Sequence, residues 1–407
     1  MVSLSSFFKP FTKRARIVKE NVVFMIDLGS SSAKWATVEL RGSQDYKAID
    51  LRTIPWTQPL YHKKTLMKKP IQEVLFRALR EIETRFRLLA DDRRALVSLP
   101  MAVYQTNKIS VSSRIEAGHV RQEHKIELIN RARESCKDMV VLHAIPTRYY
   151  VNKRATKDPI GMEATDFAMD VMLIGCEEGL YEDFRHIFKE LNIHVVKYVA
   201  PSLAFVNYFL SRMNVRMMNP LIFDLGGEVA YLYNIRDGLL GHSLSVPYGS
   251  ELISRDIAAV LRTDKLTSKR LKEDYVDPDR ERGGTDHFTQ LNGIKVDLDT
   301  LNDVVFSRYA ELLKVIEKIP HFDQMRDVSS HVILLGQGHP QGAAKWIQRS
   351  WHIQVLEGDD DTLANRPYIS AIALVDYCIN NDIILPNLSH RRKTLKHRLF
   401  QVVEDLF

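Results

Sequence analysis

A chain of 407 residues with 45% apolar and 27% charged side chains is ordinary for a soluble globular protein and long enough for two or more domains that each bury a core. Three cysteines, Cys136, Cys176 and Cys378, lack metal spacing and leave one unpaired in any disulfide scheme, which argues against a disulfide scaffold and for a reducing cytoplasm. The net charge of +6 sits at the ends, with +4 in residues 1–20, +3 in residues 390–407 and the body near −1. A nucleic-acid binder would spread a basic stripe over its folded body, whereas two basic ends suit an anionic membrane surface. No apolar run reaches spanning length and the N-terminus lacks the apolar core of a signal peptide, so the expectation is a cytoplasmic protein, peripheral where it meets a membrane.

Residues 1–20, with Phe7, Phe8 and Phe11 ahead of a Lys/Arg run, read as a solvated tail or an auxiliary membrane contact. Residues 22–40, VVFMIDLGSSSAKWATVEL, set a pattern that returns later in the chain. An apolar run stops at Asp27-Leu28-Gly29, passes three serines and resumes, giving strand, tight turn, strand. In such a turn Gly29, Ser30, Ser31 and Ser32 can aim N–H groups and hydroxyls at a phosphate, Asp27 can hold Mg²⁺ through water, and Lys34 can add a point charge. Gly/Ser turns without a ligand are common, so the stretch gains weight only from its repeat.

Helical periodicity follows over 71–89 and a strand over 94–99. From 100 to 173 the pattern becomes strand (102–111), charged helix (117–133), strand (139–145), basic loop and strand (167–174), a small α+β insertion. Helix 180–191, strand 194–199 and helix 202–211 resume the first domain. Residues 221–234, LIFDLGGEVAYLYN, then repeat the opening design with Asp224, Gly226 and Gly227. That period is too long for a solenoid and suits two similar domains facing one cleft. A third glycine turn, Gly336-Gln337-Gly338, separates a buried strand from a helix within 331–347. After Pro386 and Ser389, residues 390–407 place Leu395, Leu399, Val402, Val403 and Leu406 on one helical face, widened by Phe400 and Phe407. Arg391, Arg392, Lys393, Lys396 and Arg398 crowd its first half, which suits a helix lying among lipid headgroups, a helix packed on the body being the alternative.

Two Asp-x-Gly hairpins and a later strand–glycine–helix turn resemble the actin/Hsp70/sugar-kinase ATPase superfamily, whose two phosphate loops and adenosine loop fall in this order. The resemblance narrows with Val141-Leu142-His143-Ala144-Ile145-Pro146, Asp158-Pro159-Ile160-Gly161-Met162 and the strand ending Met172-Leu173-Ile174. It continues through Val246-Pro247-Tyr248-Gly249, Ser254-Arg255-Asp256-Ile257-Ala258, 301–313 and 366–374. Over residues 22–380 and the tail, the sequence is similar to FtsA, the actin-like family of bacterial cell division.

The resemblance implies an α/β, actin-like ATPase fold of two duplicated actin/Hsp70-type domains with an α+β insertion subdomain in the first. Domain 1A would hold 21–98 and 175–217, the insertion 99–174, domain 2A 218–250 and 329–385, and domain 2B 251–328. A basic extension (1–20) and a linker with an amphipathic membrane-targeting helix (386–407) would flank them. Implied cofactors are ATP and Mg²⁺, with Asp27 and Asp224 on the metal side and Gly29 to Ser32, Gly226 and Gly227 around phosphates. Gly336, Gln337 and Gly338 would meet adenosine, and Lys272 would lie near adenine, an exposed helix charge being the alternative for that lysine. Arg308 matches a family arginine for the acidic C-terminal peptide of FtsZ, the tubulin-like ring protein, with a structural surface role as the alternative. The implied protein is a polymerising membrane tether on the inner face of the cytoplasmic membrane at the division site. Its partners would be FtsZ, its own copies, anionic lipid and later division proteins, and not nucleic acid.

Three positions depart from the family pattern. The second loop reads Gly227-Glu228-Val229 where a further glycine and a threonine are usual, and a carboxylate there repels a triphosphate unless turned away or neutralised. The adenosine loop has Leu335-Gly336-Gln337-Gly338 in place of Thr-Gly-Gly, and Val199-Ala200-Pro201 stands where actin places a water-orienting glutamine. The expectation is nucleotide binding with feeble turnover. The runner-up is a PilM-type scaffold of type IV pilus assembly, which the Ser30-Ser31-Ser32-Ala33-Lys34 form of the first loop favours. A sugar kinase would need a catalytic carboxylate that the sequence does not offer.

Overall fold

The computed structural model describes residues 21–381 apart from 42–45, 59, 63–64, 89–92, 117, 213–218, 237–238, 278, 280–281, 283–287, 337 and 357–367. The basic extension 1–20, the expected amphipathic helix at 390–407 and Gln337 therefore lie outside the described residues. The chain divides into two units, Met1–Arg212 with Tyr368–Phe407, and Met213–Pro367.

In the first unit, β1 (Val22–Leu28), β2 (Ser32–Leu40) and β3 (Tyr46–Pro55) form an antiparallel meander. All of β1 is buried because it carries no polar side chain before Asp27, and Trp35 of β2 meets Phe24 edge-on at 5.2 Å. A short hairpin, β4 (Tyr61–His62) and β5 (Thr65–Leu66), precedes α1 (Lys68–Phe86), whose Ile71, Val74, Leu75, Ala78, Leu79 and Ile82 make one buried stripe. Arg87 ends that helix in the left-handed region at φ 55°. β6 (Arg94–Ser98) then runs parallel to β1.

The insertion follows, with β7 (Tyr104–Arg114), α2 (Gln122–Ser135), β8 (Val140–Val151), β9 (Arg154–Thr156) and β10 (Asp166–Cys176). Its four strands lie in the order β7-β10-β8-β9, and α2 covers one face over a separate core that includes Leu128, Ile129, Phe167 and Leu173. The basic loop expected after Ile145 is instead strand, since β8 runs on to Val151. Pro146 interrupts nothing because it sits where the ladder skips Thr147, between the pairs Val171↔Pro146 and Asp170↔Arg148. α3 (Glu178–Glu190), β11 (His194–Tyr198) and α4 (Pro201–Arg212) complete the stretch, and the main sheet reads β11-β6-β1-β2-β3.

The second unit repeats that plan. β12 (Leu221–Leu225), β13 (Ala230–Arg236) and β14 (Leu239–Val246) form the meander, followed by α5 (Ser250–Leu261), α6 (Lys265–Asp274), the hairpin β15 (Phe288–Leu291) and β16 (Ile294–Asp297), α7 (Leu298–Glu317) and α8 (Phe322–Asp327). β17 (His331–Leu335) pairs parallel to β12, and after α9 (Ala343–Trp351) comes β18 (Gln354–Leu356), giving β14-β13-β12-β17-β18. One continuous core joins this sheet to α5, α7 and α9.

The chain then returns to the first unit. α10 (Ile369–Asn380) packs on α4, β1, β2 and β6, with Asn380 Nδ2 donating to Asn207 Oδ1 and Tyr46 Oη to Asp376 Oδ1 at 3.2 Å. This corrects the expected grouping of 329–385 in domain 2A: the apolar helix covers the first unit's sheet, where its buried residues find their partners. Among the described residues no helix is long and apolar enough to cross a membrane.

Candidate functional site

The first turn joins β1 to β2. Asp27 is 8% exposed and pairs in the ladder with Lys34 on one side and Ser98 on the other. Lys34 Nζ lies 3.9 Å from Asp27 Oδ2. The turn closes by Gly29 N–H to the Ser32 carbonyl at 3.0 Å, with Ser31 exposed at its tip and Ser32 buried at the start of β2. Trp56 ties down its carbonyls, its indole N–H donating to Gly29 O at 2.8 Å and its backbone N–H to Ser31 O at 3.2 Å. A Cβ at position 29 would meet Lys34 Nζ and Ser32 O, both at 2.9 Å.

The second turn has the same closure, Gly226 N–H to the Val229 carbonyl at 3.1 Å. Here the carbonyls are tied by the start of α5: Ser250 N–H donates to Gly226 O at 2.9 Å and Glu251 N–H to Gly227 O at 2.8 Å. The approach requires glycine at position 249, where a Cβ would stand 2.2 Å from Gly227 O. The third turn lies on the second. Gly336, at φ +83°, faces Leu225 O and Asp224 Oδ1, which a Cβ would meet at 2.4 and 2.6 Å. Gly338 N–H donates to Leu225 O at 3.1 Å. His339 then anchors the turn, with Nε2 3.1 Å from Phe223 O and Nδ1 2.9 Å from the Tyr309 hydroxyl. Glu228 is exposed. The structure thus gathers Asp224, Gly226, Gly227, Gly336 and Gly338 in one unit and Asp27, Gly29, Ser30, Ser31, Ser32 and Lys34 in the other.

Such glycine-lined turns beside a carboxylate have the chemistry to hold a phosphorylated ligand. Among the described residues no three His, Cys, Asp or Glu side chains gather as a metal cage, so a cation would depend on water and the ligand's phosphates beside Asp27 or Asp224. Lys272 on α6 is not an exposed helix charge: it is 5% exposed, and burial pulls its pKa below the ordinary lysine value. Arg308 on α7 is half-buried and engaged by Asp256, by the Tyr248 hydroxyl and by Glu311 at 2.8 Å, and the bonds to Asp256, foremost, and to Tyr248 push its pKa up. Before α4, Val199 and Ala200 are buried and apolar, and Ala200 N–H donates to His143 Nε2 at 3.1 Å. In the insertion, Ile160 and Met162 are 37% and 41% exposed on the loop turned by Gly161 at φ +84°.

Sequence reading did not assign Trp56, Gly249, Tyr309 or His339 to the site. Gly249 carried a usable signal, a glycine immediately ahead of a helix; the other three act across distances in sequence that no local pattern encodes.

The family profile described as "SHS2 domain inserted in FTSA" matches residues 102–175, the insertion. The cell division protein FtsA of Buchnera aphidicola subsp. Schizaphis graminum is 26% identical over 183 residues, which cover 43% of this chain and 44% of that protein. FtsA of Escherichia coli K12 is 23% identical over 260 residues, 58% and 62% of the two chains. The matches thus span less than two thirds of these relatives' length. Among solved structures, the PilM–PilN type IV pilus biogenesis complex aligns at TM-score 0.62 with 14% identity, covering 87% of this chain and 98% of that one. MreB5 of Spiroplasma citri bound to ADP aligns at 0.51 with 12% identity, covering 89% and 99%. The chain has the actin-like ATPase fold, matches over residues 102–175 the profile of the SHS2 domain inserted in FtsA, and resembles the FtsA cell-division family.

Proposed function

We propose that this protein is an FtsA-type, nucleotide-binding, polymerising membrane tether of bacterial cell division. The observation that carries the reading is the SHS2 insertion within an actin-like fold. On this reading the Gly29–Ser32 turn and Gly226-Gly227 take the phosphates of ATP, Asp27 and Asp224 reach Mg²⁺ through water, and Gly336, Gln337, Gly338 and Lys272 take the adenosine. Bound Mg²⁺ would supply charge neutralisation between phosphates. Lys34 adds a cation already held by Asp27. With buried apolar side chains at Val199 and Ala200 and a carboxylate at Glu228, turnover is slow.

The helix at 390–407 holds the protein on anionic lipid at the inner face of the cytoplasmic membrane, where the protein anchors FtsZ filaments at the division site. Residues 99–174 recruit later division proteins, with Ile160 and Met162 as exposed apolar contacts. Arg308 meets the acidic C-terminal peptide of FtsZ by exchanging its present carboxylates for the peptide's.

The test is a supported bilayer containing anionic lipid, loaded with the full chain and then with labelled FtsZ. Recruitment of FtsZ that disappears when residues 390–407 are removed is the expected result. Folded, membrane-bound protein that leaves FtsZ in solution would overturn the tether and favour the pilus-type scaffold that the Ser30-Ser31-Ser32-Ala33-Lys34 loop suggests.

A further inference from the structure

Neighbouring residues of α7 reach the two glycine turns of the second unit by separate routes. Arg308 engages Asp256 of α5 and the hydroxyl of Tyr248, and its guanidinium lies 5.7 Å from the Tyr248 ring centre. Tyr248 is bonded in the chain to Gly249, which stands against the Gly227 carbonyl. The next two residues donate their N–H groups to Gly226 and Gly227. The guanidinium therefore holds the segment that holds the second turn.

Tyr309 is wholly buried, and its hydroxyl lies 2.9 Å from His339 Nδ1. The Phe223 carbonyl, 3.1 Å from Nε2, can only accept, so Nε2 carries hydrogen; in the neutral ring Nδ1 then accepts from the Tyr309 hydroxyl. Burial raises the pKa of that phenol well above its ordinary value and keeps it a donor. His339 directly follows Gly338, whose N–H is bonded to Leu225 O.

We infer that Arg308 and Tyr309 are positioning residues of the nucleotide site: Arg308, through Tyr248, sets the second turn, and Tyr309, through His339, sets the third. The inference rests on the nucleotide reading above, in which the second turn meets phosphates and the third meets adenosine. Neither side chain need touch the ligand. Both act by fixing backbone that a ligand would meet, where a small displacement is felt as lost affinity.

The measurement is calorimetric titration of the full chain with ATP and with AMP, for wild type, Tyr248→Phe and Tyr309→Phe, each checked for folding by circular dichroism. Tyr309→Phe removes one buried hydrogen bond and weakens ATP and AMP alike, by about fivefold. Tyr248→Phe removes the hydroxyl by which Arg308 holds the residue next to Gly249, leaving the Asp256 pair in place, and weakens ATP by about the same factor while leaving AMP within experimental error. Arg308→Lys, which cannot hold Asp256 and the hydroxyl in one planar fork, follows Tyr248→Phe. Should Tyr309→Phe not fold, His339→Gln reports the same contact. Equal losses for both nucleotides in Tyr248→Phe, or no loss in either folded variant, would overturn the inference while leaving the nucleotide reading standing. A wild-type protein that binds neither nucleotide would overturn that reading and the inference together.

Discussion

The first and second turns are the same piece of backbone finished in two ways. Both follow the first strand of a meander, both have an aspartate two residues before the glycine, and both close by an N–H bond from that glycine to the residue three further on. In the first unit the carbonyls are held by a tryptophan side chain and backbone from the end of β3, and a lysine ammonium lies beside the aspartate. In the second they are held by the backbone of a helix start, and the neighbouring space is filled by a further glycine turn without a cation in the loop. Identical topology thus sets the turn and leaves its charge and clearance to residues elsewhere. The first turn carries charge; the second carries fit.

That contrast can be broken most forcefully at the glycines. Gly336→Ala puts a Cβ on Leu225 O and Asp224 Oδ1 in a backbone region closed to alanine, and is expected to lower unfolding free energy by about 2–3 kcal/mol. Gly29→Ala meets a movable lysine tip as well as the Ser32 carbonyl and costs about 1 kcal/mol. Urea unfolding of the two variants checks the order, and equal losses would show that the second turn is no tighter than the first.

A pH series sharpens what stands behind the first unit. Burial, with Lys197 and Arg133 nearby, holds His143 well below the ordinary histidine pKa, while the unfolded chain titrates near 6.5. Below that pH the unfolded state takes up a proton that the folded state refuses, so stability present at pH 7.5 is lost as pH falls. The urea midpoint should drop between pH 7.5 and 5.5, and His143→Asn, whose amide oxygen can still accept from Ala200 N–H, should flatten the drop.

Smaller effects test the charge. Lys34→Met is expected to weaken ATP about tenfold and to reduce the salt dependence of binding, whereas an unchanged affinity would make the lysine only a partner for Asp27. Trp56→Phe, which removes the indole bond to Gly29 O, should cost about 0.5–1 kcal/mol in thermal unfolding, the smallest of these effects.

Much of this was legible in sequence because it is local. The paired Asp-x-Gly turns, the α1 stripe and the insertion are written in strand runs, glycines and helical spacing. What was not legible is long-range or ambiguous by nature. Lys272 carries a charge that reads as exposed, and only packing of α6 shows it buried. Pro146 reads as a strand end because a ladder irregularity leaves no local mark. The helix at 369–380 is apolar all round, so its sequence states that it is buried and not which sheet buries it.

The return of that helix also orders the protein's birth. During translation the ribosome releases β1, β2, β6 and α4 early, yet the helix that covers them emerges only after all of residues 213–367. The interrupting unit can close while the host unit still shows an apolar face, so the unit that begins to emerge first is finished after the other, and nascent chains are exposed to aggregation until the helix at 369–380 docks.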